Sequence, residues 1–214
     1  MNNNARDSLI NAVLVSTSVC GLLMMLKGLL VTIPQGAFTY STARDTILIS
    51  LVLVMNTLFV FFFLTHRVAP SKMVRTDTVT FIWAYLGSYL PFFFGFKDFL
   101  YIPLVDVLIA LSAVWAIFSV VRLGKSTDIL VSNRGIVTNG SYGYVRHPLY
   151  ASYILTNTLY LLISPFFLWR TVLYSIWVLC LYMRIYYEEQ FLSHSKEYRE
   201  YATKVKYRLF PGIW

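Results

Sequence analysis

The chain has 214 residues, of which 57% are hydrophobic and only 13% are charged, and its formal net charge is +8. Soluble domains carry about 25% charged residues, so this composition excludes an ordinary soluble domain and indicates an integral membrane protein. It also argues against nucleic acid as a partner, because no basic soluble region is present to bind it. Cys20 and Cys180 lie within apolar runs and belong to no metal-ligand motif. We therefore expect two free thiols and no metal.

The apolar residues predict a bundle of membrane-spanning helices. Six are expected, at roughly 8–33, 45–65, 78–96, 104–123, 149–164 and 167–191. The first is too long for a signal peptide and lacks a cleavage site, so we expect it to remain as an anchor. Pro103 opens the fourth helix at a position that helix starts tolerate. Ser164 and Pro165 leave only a tight turn between the last two, which predicts an antiparallel hairpin.

The C-terminal residues predict a further, amphipathic helix. Within Ser195–Tyr207, helical spacing places Tyr198, Tyr201, Ala202 and Val205 on one face, with charged residues around the remainder. The expected fold is therefore an all-α integral membrane helical bundle of about six transmembrane helices plus a C-terminal interfacial helix. We divide it into residues 1–123, which hold the first four helices, and residues 124–214, which hold the polar motifs.

Lysine and arginine residues are distributed unevenly among the predicted connections. Fourteen of the 18 lie at the N-terminus, in the second and fourth connections and in the C-terminal region, whereas the other connections hold only Arg44, Lys97 and Arg170. Because positive residues accumulate on the cytoplasmic side, we predict a multi-pass protein with both termini cytoplasmic. The same charge would attract anionic lipid headgroups. Lys27 and Asp106 fall inside predicted helices, and the sequence does not indicate their roles.

Two polar clusters lie at the ends of apolar helices. Gly140–Tyr150 contains Arg146, His147 and three tyrosines, and Arg184–Glu189 ends the last apolar helix. Ionisable residues are costly at the edge of a bilayer and usually have a function there. The tight turn at Pro165 should bring the two clusters together, so we predict one site on the cytoplasmic side.

Each cluster also has a plain structural interpretation. Arg184 and Glu188 are four residues apart, so they share a helix face on which they could form a helix-end salt bridge, with their charges extended to the interface. Glu189 is turned away from that face by about 100°. His147 precedes Pro148 and could simply cap the fifth helix.

Three motifs resemble the isoprenylcysteine carboxyl methyltransferase family, a group related to integral-membrane phospholipid methyltransferases. They are Arg134-Gly-Ile-Val-Thr-Asn-Gly-Ser-Tyr142-Gly-Tyr-Val-Arg-His-Pro-Leu-Tyr150, then Arg184-x-x-x-Glu188-Glu189, then Tyr198-x-x-Tyr201-x-x-x-Val205-x-x-Arg-Leu-x-Pro211. The resemblance runs from Leu123 to the end of the chain and is that of a compact, prokaryotic-type member.

The resemblance implies S-adenosylmethionine as the cofactor and a set of residues around it. The implied cofactor-binding residues are Arg134, Gly135, Ile136, Val137, Tyr142, His147, Pro148, Leu149, Tyr150 and Glu188. To these we add Arg146, a cation for the cofactor carboxylate, and Glu189, the carboxylate next to Glu188. The family's small residue after the His-Pro motif is Ser152 here, and its upstream loop position falls near Thr127.

The chemistry of the cofactor fits these residue types. Its carboxylate could bind to Arg146, His147 or backbone amides, and Glu188 could accept hydrogen bonds from its ammonium or ribose hydroxyls. The adenine needs an apolar slot, which Ile136, Val137 and Tyr142 could form. No Gly-x-Gly-x-x-Gly follows a strand, so a Rossmann-type site is excluded.

The acceptor is implied to be a lipid-like or prenylated molecule that enters from the bilayer. Arg184 and Glu188 are the expected catalytic residues, and Arg184 is implied to face the acceptor. A carboxylate acceptor is already ionised and needs no base, whereas an amine would need Glu188 or Glu189 to remove a proton. We therefore expect carboxyl O-methylation, with phospholipid N-methylation as the alternative. A non-enzymatic transport or scaffold bundle, or a nicotinamide-dependent reductase, is a more distant reading. In a prokaryote the location would be the plasma membrane.

Overall fold

The structure is a computed structural model, and it describes residues 16, 19–23, 26–27, 30, 40–65, 74–75, 78–89, 100–127, 131–133, 135–165 and 167–212. Its helices are α1 (Tyr40–Leu64), α2 (Thr78–Tyr89), α3 (Pro103–Leu123), α4 (Pro148–Leu162), α5 (Phe167–Leu192) and α6 (Lys196–Lys204). Two short strands, β1 (Val74–Arg75) and β2 (Val131–Ser132), pair antiparallel. Single 3₁₀ turns cover Gly124–Ser126 and Gly140–Gly143.

The predicted helical membrane fold is confirmed, although the number of spans is not. Three described helices are long and apolar enough to cross a membrane: Ala43–Leu64, Pro103–Ser126 and Leu168–Leu192. The first predicted helix lies mostly outside the described residues, as do the last seven residues of the third. α4 has 15 residues, fewer than the about 20 that a bilayer requires. The six-helix count therefore stays a prediction.

α3 lies at the centre of the described bundle and packs against α1 and α4. Its buried side chains recur at helical spacing and are mostly small, as in Ser112, Ala113, Ala116 and Ser119. Small residues allow two helix backbones to approach closely in a membrane. Hydrogen bonds cross this contact, because Ser112 Oγ lies 3.0 Å from the carbonyl oxygen of Ser152 and 2.7 Å from Thr156 Oγ1. Ser152 is therefore part of the contact between α3 and α4.

Two backbone contacts define the ends of the bundle. The β1–β2 pair joins the connection after α1 to the connection after α3, so both lie at one end, which we call the loop end. At the other end, which we call the turn end, the Leu100 amide donates to the carbonyl oxygen of Ile163, beside Ser164 and Pro165 (2.8 Å). The predicted α4–α5 hairpin is confirmed, because Tyr150 near the start of α4 contacts Glu188 near the end of α5.

The turn end contains a buried ion pair. Arg44 Nε of α1 lies 3.2 Å from Asp106 Oδ1 of α3, and both side chains are only 9% exposed. The Arg44 guanidinium also lies over the ring of Tyr101, 5.8 Å from its centroid. The sequence did not indicate a role for Asp106, and the structure shows that it joins α1 to α3. Lys27 is exposed.

The amphipathic pattern of α6 is confirmed, and the protein itself covers its apolar face. Ser195 caps the helix by accepting a hydrogen bond from the Tyr198 amide (3.1 Å). Tyr198, Tyr201 and Val205 are buried together with Leu192, and Ile136 packs against them. The apolar face of α6 therefore packs against the 135–147 loop.

Candidate active site

His147 occupies the N-cap position of α4, but its ring does not cap the helix. The ring is buried, and its Nε2 lies 3.2 Å from Glu189 Oε1. Pro148 begins the helix, where a missing amide hydrogen costs nothing. The interpretation of His147 as a simple cap is therefore wrong, because the side chain connects the loop to α5.

Glu189 binds four side chains, which together with it form what we call the Glu189 cluster. Arg146 donates to both carboxylate oxygens (2.7 and 3.3 Å), and His147 Nε2 lies within hydrogen-bond distance. The Tyr198 hydroxyl donates over 3.1 Å, and Arg208 Nε donates to Oε2. Charge-assisted hydrogen bonds of this kind are about twice as strong as neutral ones. The cluster therefore links the 135–147 loop, α5, α6 and residues 205–212, which we call the tail.

The tail also pairs with the loop through its backbone. The Arg146 amide donates to the Tyr207 carbonyl oxygen (2.9 Å), and the His147 amide donates to that of Arg208 (2.8 Å). Arg146 Nη1 donates to the carbonyl oxygens of Val205 and Lys206, each over 2.9 Å. Burial by itself lowers the pKa of Arg146, but the hydrogen bond and the charge of Glu189 outweigh it and raise this pKa. Arg146 is thus a charged anchor for the tail.

Tyr150, Arg184 and Glu188 form a second group, the Glu188 cluster. The Tyr150 hydroxyl donates to Glu188 Oε2 (2.8 Å), and the Arg184 guanidinium lies 5.1 Å from the centroid of the Tyr150 ring. The His147 ring stacks on the Tyr150 ring, with the two centroids 5.4 Å apart. Arg184 is only 6% exposed, so the interpretation that its charge extends to the interface is wrong. The predicted meeting of the two motifs is confirmed.

Tyr142 lies beside the Glu188 cluster. It is buried, and burial raises its pKa well above the ordinary value, with smaller contributions from the nearby Tyr150 and Glu188. Its hydroxyl is therefore neutral at physiological pH. Its carbonyl oxygen accepts a hydrogen bond from the Tyr201 hydroxyl (2.7 Å), which again ties the loop to α6.

A cavity of about 370 Å³ lies next to the loop, and we call it the loop cavity. It is lined by Arg122, Leu123, Gly124, Lys125, Ser126, Gly135, Ile136, Val137, Thr138 and Asn139. Its volume is within the range of about 300–1,000 Å³ found for small-molecule sites. The residues Gly135, Ile136 and Val137, expected at a cofactor, are thus on a cavity of suitable size.

The remaining predicted residues have mixed surroundings. Leu149 is buried against Ala116 and Val120 of α3 and so contributes to the core. Thr127 is buried, and its hydroxyl donates to the Gly124 carbonyl oxygen (2.6 Å), which closes the turn after α3. Arg134 lies outside the described residues. Across the parts of the chain that are described, no group of three or more His, Cys, Asp or Glu side chains is placed to hold a metal ion.

Sequence reasoning missed four residues of this region. Tyr198 and Arg208 complete the Glu189 cluster, and Arg122 and Lys125 line the loop cavity. Burial of a carboxylate requires several donors, so the tail motif with Tyr198 and Arg208 was a usable signal for the first two. No sequence signal indicates the other two, because cations that follow an apolar helix are common on cytoplasmic faces.

Residues 100–194 match the family model of the isoprenylcysteine carboxyl methyltransferase family. The resemblance seen in the motifs is therefore confirmed, and it supports a membrane methyltransferase. The match includes the loop, α4 and α5 but ends before α6 and the tail, which complete the Glu189 cluster. No curated protein and no solved structure matches the chain.

Proposed function

We propose that this protein transfers a methyl group from S-adenosylmethionine to an amphiphilic, membrane-embedded carboxylate such as a prenylcysteine. The observation that carries the proposal is the Glu188 cluster, in which Tyr150 of one motif binds Glu188 of the other beside the buried Arg184. The loop cavity next to the first motif supports it, because the cofactor loop implied by the family lines that cavity. The family match gives the class of reaction.

The cofactor would contact the residues of the loop and of the Glu188 cluster. Gly135, Ile136 and Val137 form a wall of the loop cavity against which the adenine could pack. Tyr142 of the same loop is buried and neutral. Glu188 is the acceptor for the cofactor's ammonium or hydroxyl groups. Pro148, Leu149 and Tyr150 begin α4 directly after the loop. S-adenosylmethionine supplies an electrophilic methyl group, whose transfer to a carboxylate leaves a methyl ester and S-adenosylhomocysteine.

Arg146, His147 and Glu189 act by positioning in this proposal. Arg146 and Glu189 bind each other, so they hold the loop in place rather than contact the reacting groups. His147 is held by Glu189 and stacks on Tyr150, so it fixes the ring whose hydroxyl binds Glu188. Positioning of this kind contributes strongly to displacement reactions, because reacting atoms must be aligned.

Arg184 indicates the chemical class of the methyl acceptor. A carboxylate is ionised at neutral pH and attacks without a general base, so the protein has only to orient it and exclude water. A guanidinium can bind a carboxylate through two parallel hydrogen bonds and never gives up its proton. An amine acceptor would instead be protonated and repelled by Arg184. Burial of Arg184 therefore favours carboxyl O-methylation over methylation of phosphatidylethanolamine.

We infer that the site faces the cytoplasm and that the acceptor enters from the bilayer. Among the described residues, most lysines and arginines lie at the loop end, which is typical of cytoplasmic faces. The outer faces of α3 and α5 expose large apolar residues suited to lipid, including Leu111, Val114, Val172 and Ile176. A lipid-like acceptor could thus reach the loop end without leaving the membrane.

The test is binding and turnover in detergent or nanodiscs. Calorimetry should detect S-adenosylhomocysteine, and labelled methyl groups should pass to a prenylcysteine analogue but not to phosphatidylethanolamine. Arg184→Lys should lose most turnover with unchanged cofactor affinity, because lysine keeps the charge but not the planar two-point fork. Absence of cofactor binding would reject the methyltransferase. Methylation of phosphatidylethanolamine by the wild type would leave the methyltransferase standing and reject the carboxylate acceptor.

A further inference from the structure

The loop cavity contains two cations that the proposed reaction does not yet use. Arg122 lies in the last turn of α3 and Lys125 in the 3₁₀ turn that follows, and both line the cavity. The Gly135–Asn139 segment lines it as well. Both side chains are exposed, so a ligand in the cavity can reach them.

The cations first expected to bind the cofactor carboxylate are already engaged elsewhere. Arg146 donates to Glu189 and to two carbonyl oxygens of the tail, and the His147 ring is bound to the same carboxylate. A second carboxylate at either residue would have to displace Glu189, at the cost of leaving a buried charge unpaired. The positive charge for an anion must therefore come from other residues.

Arg122 is held in place on the cavity wall. Its guanidinium lies 5.0 Å from the centroid of the Phe118 ring. Gly140 adopts a φ of +62°, and a Cβ added there would lie 3.0 Å from both Cγ and Nε of Arg122. Glycine at this position thus allows the arginine to lie directly against the loop. The side chain is ordered before a ligand arrives, which lowers the entropic cost of binding.

Because of where the cavity lies in the fold, it needs these two cations in order to bind an anion. It lies at the carboxyl end of α3, where the helix dipole places a partial negative charge that repels anions. Among the residues that the structure describes, the cavity lining contains no acidic side chain. We infer that Arg122, assisted by Lys125, binds the amino-acid carboxylate of S-adenosylmethionine in the loop cavity. This inference rests on the proposed function and adds a cofactor-binding role for two residues outside the family motifs.

The test compares two ligands that differ in the group concerned. S-adenosylhomocysteine has the amino-acid carboxylate, whereas 5′-methylthioadenosine keeps the adenosine and the thioether sulfur but lacks the whole amino-acid group. Calorimetry on Arg122→Gln should show affinity for S-adenosylhomocysteine reduced roughly tenfold to a hundredfold, because a charge-assisted hydrogen bond is lost. Affinity for 5′-methylthioadenosine should change by less than about twofold. Lys125→Gln should have a smaller effect, since lysine acts as a point charge.

Controls separate this result from general effects. Lys204→Gln removes an equal charge from the exposed face of α6, and it should leave both affinities unchanged. Arg122→Lys keeps the charge at the helix end, so it should fold even where the glutamine variant does not, and it should still weaken only S-adenosylhomocysteine. Vesicles containing an anionic phospholipid test the other source of a compact anion, a headgroup phosphate.

Each remaining outcome is decisive. Wild-type affinity for S-adenosylhomocysteine in Arg122→Gln would overturn the inference and leave the proposed function intact. Equal losses for both ligands would show that Arg122 only shapes the cavity, which also overturns it. Reduced vesicle binding with unchanged nucleoside binding would assign the cavity to a lipid phosphate instead. No binding of S-adenosylhomocysteine by the wild type would reject the proposed function itself, and the inference with it.

Discussion

Two adjacent glutamates have different surroundings although they share one helix turn. Glu188 accepts one hydrogen bond from Tyr150, whereas Glu189 is bound by two arginines, a histidine and a tyrosine. The helical rotation of about 100° between neighbours places one carboxylate beside Arg184 and the other beside the tail. One residue is thus suited to bind a ligand and the other to hold the structure together.

Substitution should separate these two roles. Glu189→Ala leaves Arg146 without its carboxylate, and breaking a partly buried network of this kind costs about 3 kcal/mol. We expect a clearly lower melting temperature and faster proteolysis of the tail. Glu188→Ala should instead weaken S-adenosylhomocysteine binding by ~1.5–3 kcal/mol with little effect on melting. The measurements are thermal denaturation in detergent and calorimetry.

Glu200→Ala is the matched control, because it removes an exposed carboxylate that pairs with Lys196 at the surface. It should change neither measurement. If Glu188→Ala and Glu189→Ala lowered the melting temperature equally, the assignment of the structural role to the Glu189 cluster would be wrong. We also expect Glu189→Ala to weaken cofactor affinity less than Glu188→Ala, because Glu189 points away from the face that Arg184 and Glu188 share.

At the scale of elements, the ion pair at the turn end connects α1 to α3. Arg44 and Asp106 are both buried, so removing one partner leaves the other as an uncompensated charge. Arg44→Ala should therefore destabilise the protein by roughly 3 kcal/mol, and Arg44→Ala combined with Asp106→Ala should cost less than Arg44→Ala alone. Thermal denaturation of the four-member mutant cycle measures this coupling.

Cofactor affinity provides the specificity check for that cycle. The ion pair and the loop cavity lie at opposite ends of α3, so S-adenosylhomocysteine should bind folded Arg44→Ala as it binds the wild type. Additive losses in the cycle would contradict an energetic link between the two residues. Mutation of Asp45, which is half exposed beside Arg44, should have little effect.

The elements differ in how far the sequence alone could predict them. Apolar length and the prolines at 103 and 148 predicted α3 and α4 to within a few residues. Strands of two residues have no periodicity, so the β1–β2 pair was not predictable. The apolar stripe of α6 was predictable, but the surface that covers it was not, because pattern alone does not distinguish lipid from protein.

In the candidate site, too, some contacts were predictable from the sequence and others were not. The Tyr150–Glu188 contact followed from two motifs and a tight turn between helices. The partners of Glu189 depend on a return of the chain over about 60 residues, from the tail to Arg146. Contacts between residues so far apart in the chain are set by tertiary packing rather than by local sequence spacing. The positions of Arg122 and Gly140 on the cavity likewise needed coordinates.

At the scale of the whole molecule, membrane topology is the outstanding prediction. The β1–β2 pair places the connections after α1 and α3 at one end. Single cysteines at Ser71 and Asn139 should therefore react with an impermeant maleimide from the cytoplasmic side, and those at Thr42 and Phe99 from the opposite side. The background is a variant in which Cys20 and Cys180 are replaced. Labelling of 71 and 139 from different sides would refute the six-helix count.

The pairing of the tail with residues 146 and 147 also has a consequence for biosynthesis. Arg146 is synthesised 60 residues before its partner carbonyl at Lys206. At usual elongation rates of about 5–20 residues per second, that interval is roughly 3–12 s. During it, α4 and α5 can enter the membrane while Arg146 still lacks its tail contacts. The nascent protein should thus acquire its ability to bind ligands late, after its last helices have been inserted.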